Sequence, residues 1–264
     1  MAIKYTIQGL LIYVTIATYL GAFLTLLAGR RKLGRTLALV SFLVALVSLG
    51  YRWYDVRHVP LQNLFEVFLF LGLLCDPISW FSRRILRIGH QWADMLLGAI
   101  VLFPAGFIFT AQPLQLPPAL QSWLFGPHVA VYMIAYIFMA KATVQAVDQL
   151  CRRPPRAEGT ARPPERATYE LIAIGFPLLT LGLILGSWWG KLAWGRYWGW
   201  DPKELWSLAS WLVYLGYFHW RYLYGKKYPS LNSLWAITGM VAIIVTLLWV
   251  NLSQLFPGLH SYAT

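Results

Sequence analysis

A chain of 264 residues that is 58% hydrophobic and only 12% charged, with a mean hydropathy of +0.55, does not have the composition of a water-soluble domain and belongs in a membrane. The formal charge of +12 could suggest nucleic acid, but the basic residues sit in short clusters between apolar runs, which is the pattern of membrane orientation and excludes a nucleic-acid partner. Cys75 and Cys151 form neither a CxxC pair nor a disulfide framework.

A spanning helix needs ~20 apolar residues, because the hydrocarbon core is about 30 Å thick and a helix rises about 1.5 Å per residue. Eight stretches meet or approach that length: 6–28, 36–51, 64–81, 92–111, 129–150, 169–188, 205–224 and 234–252. The first is preceded by Lys4, followed by Arg30, Arg31 and Lys32, and has no small-residue cleavage site, so it reads as a retained span. No long polar block leaves room for a separate soluble domain. The expected fold is therefore an all-α polytopic integral membrane protein of eight transmembrane helices, a single domain over 1–264.

Lys and Arg in short loops are retained on the cytoplasmic side. The ends of spans one, three, five and seven and the loops after them hold fifteen of the 22 Lys and Arg residues, including Arg30, Arg83, Arg87, Arg152, Arg166 and Arg221. Both termini are thus expected on the external side. The segment 152–167, with prolines among its charges, reads as a flexible cytoplasmic basic loop.

The external segment 187–206 contains Trp188, Trp189, Trp194, Trp198, Trp200 and Trp206. Near the helix ends, Trp188 and Trp206 fit an interfacial aromatic belt as well as a binding surface. Trp194, Trp198 and Trp200 alternate with Gly195 and Gly199, which remove side-chain bulk and let a planar apolar ligand approach the backbone. Asp201, Pro202 and Glu204 read as N-cap, first position and capping-box partner of the next helix. A cap would account for Asp201 entirely and would also hold the Trp loop over the helix end.

Three of five histidines fall where an iron ligand would be useful. His128 is at the outer mouth of span five, His260 in the external C-terminal tail, and His219 inside span seven toward its cytoplasmic end. Each taken singly also fits an interfacial histidine. With no CxxCH motif on this chain, haem would be held by a bis-imidazole pair beside the indoles rather than by thioethers. His58, next to Pro60, reads as a structural hydrogen-bonding residue, and Glu66 as a carboxylate that orients a polar group inside the bundle. Arg57, Arg196 and Lys203 are external cations suited either to haem propionates or to lipid headgroups.

The run Trp194-Gly-Arg-Tyr-Trp-Gly-Trp-Asp-Pro-Lys-Glu-Leu-Trp206 resembles the tryptophan-rich WWD signature of the haem-handling cytochrome c assembly proteins, in their CcsA (ResC) branch. Arg57-His-Val-Pro-Leu-Gln-Asn-Leu-Phe-Glu66, Pro127-His128, His219 and Leu259-His260-Ser-Tyr262 are similar to the same branch, so the likeness covers most of the chain from Arg52 onward. The resemblance implies a cytochrome c synthase (haem lyase) subunit that works with a CcsB (ResB) membrane partner. It would carry haem b to the outer face and present it for thioether attachment to the CxxCH motif of apocytochrome c. It further implies His128 and His260 as external axial ligands, His219 as a ligand of an internal haem site completed by the partner, and a cofactor-binding surface of Trp189, Trp194, Trp198, Trp200 and Arg196. The reacting site so implied is His128, His260 and Asp201.

The chain is short for that branch and has no fused CcsB-like region, so the partner is expected in trans. A CcmC-like haem-delivery subunit shares the Trp loop but has six spans. A HemX-like regulator of haem synthesis has a weaker Trp signature, and a quinone-reactive cytochrome b would want paired histidines inside the bundle. The expected location is a bacterial inner membrane ahead of a thylakoid.

Overall fold

The computed structural model describes residues 4–151, 162–225 and 227–252, and the described residues are all-helical. Eight principal helices follow in order: α1 (Ile7–Leu27), α2 (Arg31–Val56), α3 (Leu64–Arg84), α4 (Gln91–Phe107), α5 (Phe125–Cys151), α6 (Pro164–Trp194), α7 (Pro202–Tyr224) and α8 (Pro229–Ile244). A π turn at Val245–Trp249 and a short segment Val250–Leu252 continue α8. Six of these, α1, α2, α3, α5, α6 and α8 with its continuation, are long and apolar enough to cross a membrane, and α4 is a shorter apolar helix. The expected all-α polytopic membrane protein is what the chain forms.

Helix ends follow local chemistry. Thr6 caps α1, its Oγ1 accepting from the Gly9 amide at 3.1 Å, and Asn63 caps α3, its Oδ1 accepting from Glu66 N at 3.0 Å. Pro163 and Pro164 open α6, and Gly195 closes it with φ +77°, a backbone region that favours glycine. The helix thus runs six residues beyond the apolar stretch 169–188, taking in Trp189 and Trp194, because Lys191 and Gly190 do not stop a helix whereas Gly195 does. Most of the basic segment 152–167 lies outside the described residues, and from Pro164 onward it is already α6.

The chain divides into two compact units. In the first, α1 packs on α2 and α4, and α3 packs on α4 and α2. Its interior holds an ion pair. Arg52 Nη2 and Glu66 Oε1 are 2.8 Å apart, both side chains 1% exposed, and Arg52 also donates to the carbonyls of Ala111 and Gln112. Glu66 Oε2 accepts from the Gln62 amide, so the carboxylate does orient a polar group inside the bundle. Arg52, expected in an external loop after residue 51, is instead inside α2, which continues to Val56 and ends on Arg57 at φ 63°. His58 has its expected structural role, its ring nitrogens 3.1 Å and 3.2 Å from the carbonyls of Val59 and Leu114.

In the second unit, α5 packs chiefly on α6, while α8 packs on α7 and α5. The end opposite the Trp loop is tied by Arg221, which donates to Glu165 through Nε (2.8 Å) and Nη2 (3.2 Å) while its guanidinium lies 3.9 Å from the ring centre of Tyr169. Trp211 Nε1 donates to Thr180 Oγ1, joining α7 to α6 at mid-height.

Candidate functional site

Helix α6 meets α5 along a stripe of glycines. A Cβ on Gly175 would lie 3.0 Å from Cε of Met139, one on Gly182 2.9 Å from the ring of Tyr132, and one on Gly186 2.5 Å from Cε1 of His128. Three large side chains of α5 therefore lie against bare backbone of α6, a close approach that only glycine permits. His128 is the last of them, in the first turn of α5 just after Pro127, which a first helical turn tolerates because its missing amide has no intrahelical partner there.

The His128 ring is held by contacts with four residues, Gly182, Gly186, Trp189 and Tyr132. It lies on Gly186, stacks on the indole of Trp189 (centroids 5.7 Å apart, planes 25° apart) and meets Tyr132 edge-on at 5.2 Å. Its Nδ1 is 3.0 Å from the carbonyl oxygen of Gly182, an acceptor only, so Nδ1 carries a proton and, in the neutral ring, Nε2 does not. That is the tautomer a neutral imidazole uses to ligate a metal through Nε2. Trp189 is buried, donates through Nε1 to the carbonyl of Ala119 at 2.9 Å, and meets Trp194 at 4.8 Å.

The irregular segment after α6 is short and held at both ends. Gly195 turns the chain, and the capping box expected at Asp201 forms in full: Asp201 Oδ1 accepts from Glu204 N at 2.9 Å while Glu204 Oε2 accepts from Asp201 N. The same Glu204 oxygen takes the Gly199 amide at 2.7 Å. Two amides flanking Trp200 thus converge on one carboxylate oxygen, and Trp200 between them has φ 59°, a left-handed conformation that is rare for a bulky residue. Its indole is exposed and edge-on to Trp198 at 6.0 Å. Arg196 is exposed, its guanidinium lying against Gly199.

On a neighbouring face of the same α6 segment, a cavity of about 520 Å³ is lined by Leu183, Ser187, Trp188, Tyr197, Trp198 and Leu208. Its volume is within the ~300–1,000 Å³ of small-molecule sites, and its walls are mainly apolar and aromatic. Trp198 Nε1 is buried and meets no acceptor among the described residues. Lys203, in the first turn of α7 ahead of the apolar stretch that begins at Leu205, has its ammonium pushed down to about 8 by desolvation, against the opposing charge of Asp201.

The chain matches the family described as cytochrome C assembly protein over residues 7–257. It belongs to that family. The cytochrome c biogenesis protein CcsA of a Prochlorococcus marinus strain is 31% identical, covering 87% of this chain and 85% of that protein. CcsA of Crocosphaera subtropica is 29% identical, covering 96% and 94% respectively. These similarities place the chain in the CcsA branch of the cytochrome c assembly family. Among solved structures, a chain titled Cytochrome c Heme Lyase CcmF superposes with a TM-score of 0.69 at 21% identity, over 94% of this chain and 48% of that one. That likeness is one of fold, and this chain spans about half the length of the other.

Of the site residues expected from sequence, this CcsA-branch structure brings His128, Trp189 and Trp194 into one aromatic cluster, and Trp198, Trp200, Asp201 and Arg196 into the adjoining segment. His128 does not line the 520 Å³ cavity, which is on a different face of α6. His219 is near the far end of α7, exposed, with Nδ1 2.9 Å from the carbonyl of Leu215. His260 lies outside the described residues. The sequence reading missed Gly182, Gly186, Tyr132 and Trp123, the last meeting Trp188 edge-on at 5.5 Å. A signal was present: Gly182, Gly186 and Gly190 recur every fourth residue, the spacing that bares one face of a helix.

Proposed function

We propose that this chain is the haem-binding membrane subunit of a cytochrome c synthase. It holds haem b at the Trp-loop end of its second unit, with that end facing outward across a bacterial inner membrane. Acting with a CcsB-like membrane partner, it carries haem to that face and presents it to apocytochrome c. As the substrate, haem supplies the vinyl groups to which the two thiols of a CxxCH motif add.

The observation that carries this reading is the seat of His128. An imidazole clamped between Gly186 and Trp189, with Nδ1–H directed to the Gly182 carbonyl, is oriented for axial ligation before any ligand arrives. The indoles of Trp189 and Trp194, clustered beside that ring, suit a flat apolar ligand. The buried Trp198 N–H, with Arg196 and Lys203, suits the propionate end. His260 is proposed as the opposite axial ligand, as the family resemblance implies, with Asp201 holding the loop in place. Exposed His219 is proposed as one ligand of an internal haem site completed by the partner subunit.

The test is an absorption spectrum of the purified subunit with its CcsB-like partner, coupled to a maturation assay. His128→Ala is expected to abolish the bis-imidazole Soret and α bands of the external site and to abolish maturation, with added imidazole restoring part of both. Unchanged bands and full maturation in His128→Ala would overturn the proposal.

A further inference from the structure

The first unit holds a second cavity, of about 610 Å³, that the proposed haem chemistry does not use. It lies where the start of α1, the end of α2 and the segment after α4 meet, and its lining includes Lys4, Gln8, Arg52, Asp55, Phe107 and Ile108. Its polar groups are distributed by sign. Lys4 Nζ donates to the carbonyls of Ala105 (2.9 Å) and Gly106 (3.0 Å), which leaves one of its three N–H groups for another acceptor. Arg52 is occupied by Glu66 and by the carbonyls of Ala111 and Gln112. The Asp55 carboxylate is 43% exposed and lies 3.5 Å from Arg52 Nη1, so it remains available on its outer side.

Gln8 is the informative residue. Its side chain is buried, Nε2 donates to Ser48 Oγ at 2.8 Å, and Oε1 meets no donor. A buried amide oxygen left without a donor is costly, so its place beside a cavity calls for a ligand that brings an N–H or O–H. The rim supplies the other half of the description. Ile7 and Leu10 on α1, and Ile108 just after α4, are exposed apolar side chains of the kind that face acyl chains.

We propose that this cavity binds the headgroup of a membrane phospholipid carrying a primary ammonium and a phosphodiester, as in phosphatidylethanolamine. The ammonium donates to Gln8 Oε1 and Asp55, the phosphodiester accepts from Lys4, and the acyl chains run along Ile7, Leu10 and Ile108. A quaternary ammonium has no N–H to give Gln8. An anionic glycerol headgroup has no cation for Asp55. The proposal is independent of the haem reading, since the two sites use different residues.

The experiment is native mass spectrometry of the purified full chain in detergent, with phosphatidylethanolamine, phosphatidylcholine, phosphatidylglycerol and soluble phosphoethanolamine offered separately. Phosphatidylethanolamine is expected to bind about tenfold more tightly than phosphatidylcholine, the worth of one charge-assisted hydrogen bond. Gln8→Leu and Asp55→Asn should each erase most of that preference while the haem spectrum stays as in the wild type. Should Gln8→Leu fail to fold, the half-exposed Asp55→Asn alone decides. Equal retention of the two zwitterionic lipids, tighter binding of phosphatidylglycerol, or an unchanged preference in Asp55→Asn would overturn the proposal. Phosphoethanolamine binding as tightly as the intact lipid would overturn the lipid as the source.

Discussion

A methyl group on Gly186 would sit 2.5 Å from Cε1 of His128, closer than real Cβ contacts come. Gly186→Ala must therefore displace the imidazole or bend α6, and the ring is the softer of the two. Its displacement would break both the stack on Trp189 and the contact of Nδ1 with the Gly182 carbonyl. The expected outcome is a loss of haem affinity of tenfold or more, with overpacking costing about 1–3 kcal/mol of stability. Gly182→Ala presses instead on the Tyr132 ring, at 2.9 Å, and serves as the control with a similar stability cost and a smaller change in haem affinity. Equal effects of the two substitutions on haem binding would remove the special role given to the Gly186 contact.

Much of this site is legible in the sequence because its signals are local. Asp201, Pro202 and Glu204 are three positions of one capping box, and reading them in order suffices to place the start of α7. Trp189 and Trp194 stand out by residue type alone. What pattern reading does not supply is the pairing of α5 with α6, because both are apolar on nearly all sides and a membrane removes the usual contrast between a wet and a dry face. The glycine stripe carries that information, but only as a small-residue spacing that does not name its partner helix. Arg52 is misplaced for a related reason. A strongly charged residue following an apolar run marks the end of a span by hydropathy, and its burial is made possible by distant partners, Glu66 and the carbonyls of Ala111 and Gln112.

The Arg52–Glu66 pair makes its own prediction. With both side chains buried, removing one partner leaves an uncompensated charge, so Arg52→Leu is expected to cost about 3–5 kcal/mol of stability. The double variant Arg52→Leu with Glu66→Leu removes both charges and should recover most of that loss, although the carbonyls of Ala111 and Gln112 still lose their donor. Thermal unfolding in detergent of the two singles and the double gives the coupling directly. A double variant no more stable than its worse parent would show that the carbonyl bonds, not the charge pair, hold this part of the first unit.

Trp200 is strained in a way that can be relieved. A non-glycine residue in the left-handed region costs roughly 1–2 kcal/mol, and at φ 59° Trp200 has that conformation with its indole largely exposed. Trp200→Gly is expected to lower the local strain while Trp200→Ala keeps it, so the Gly199 and Asp201 amides should exchange with solvent no faster in the glycine variant than in wild type. If the strain serves to present the indole, both variants lose haem binding alike even though the glycine variant has the more stable loop. A glycine variant with wild-type haem affinity would show that the Trp200 indole is not needed for binding.

On the proposed haem reading, Lys203 would link binding to pH. Desolvation lowers its ammonium to about 8, so the unliganded protein carries this charge below that pH and loses it above. If the ammonium pairs with a haem propionate, binding favours the protonated form and the pKa rises in the complex. Affinity should then be highest below about 8 and fall as pH increases through and beyond it. Lys203→Arg keeps its charge over the whole range, so its affinity should stay flat between pH 7 and 9. Haem titrations at both ends of that range, on wild type and Lys203→Arg, separate this from a general pH effect on the protein: a parallel fall in the arginine variant would assign the dependence to another group.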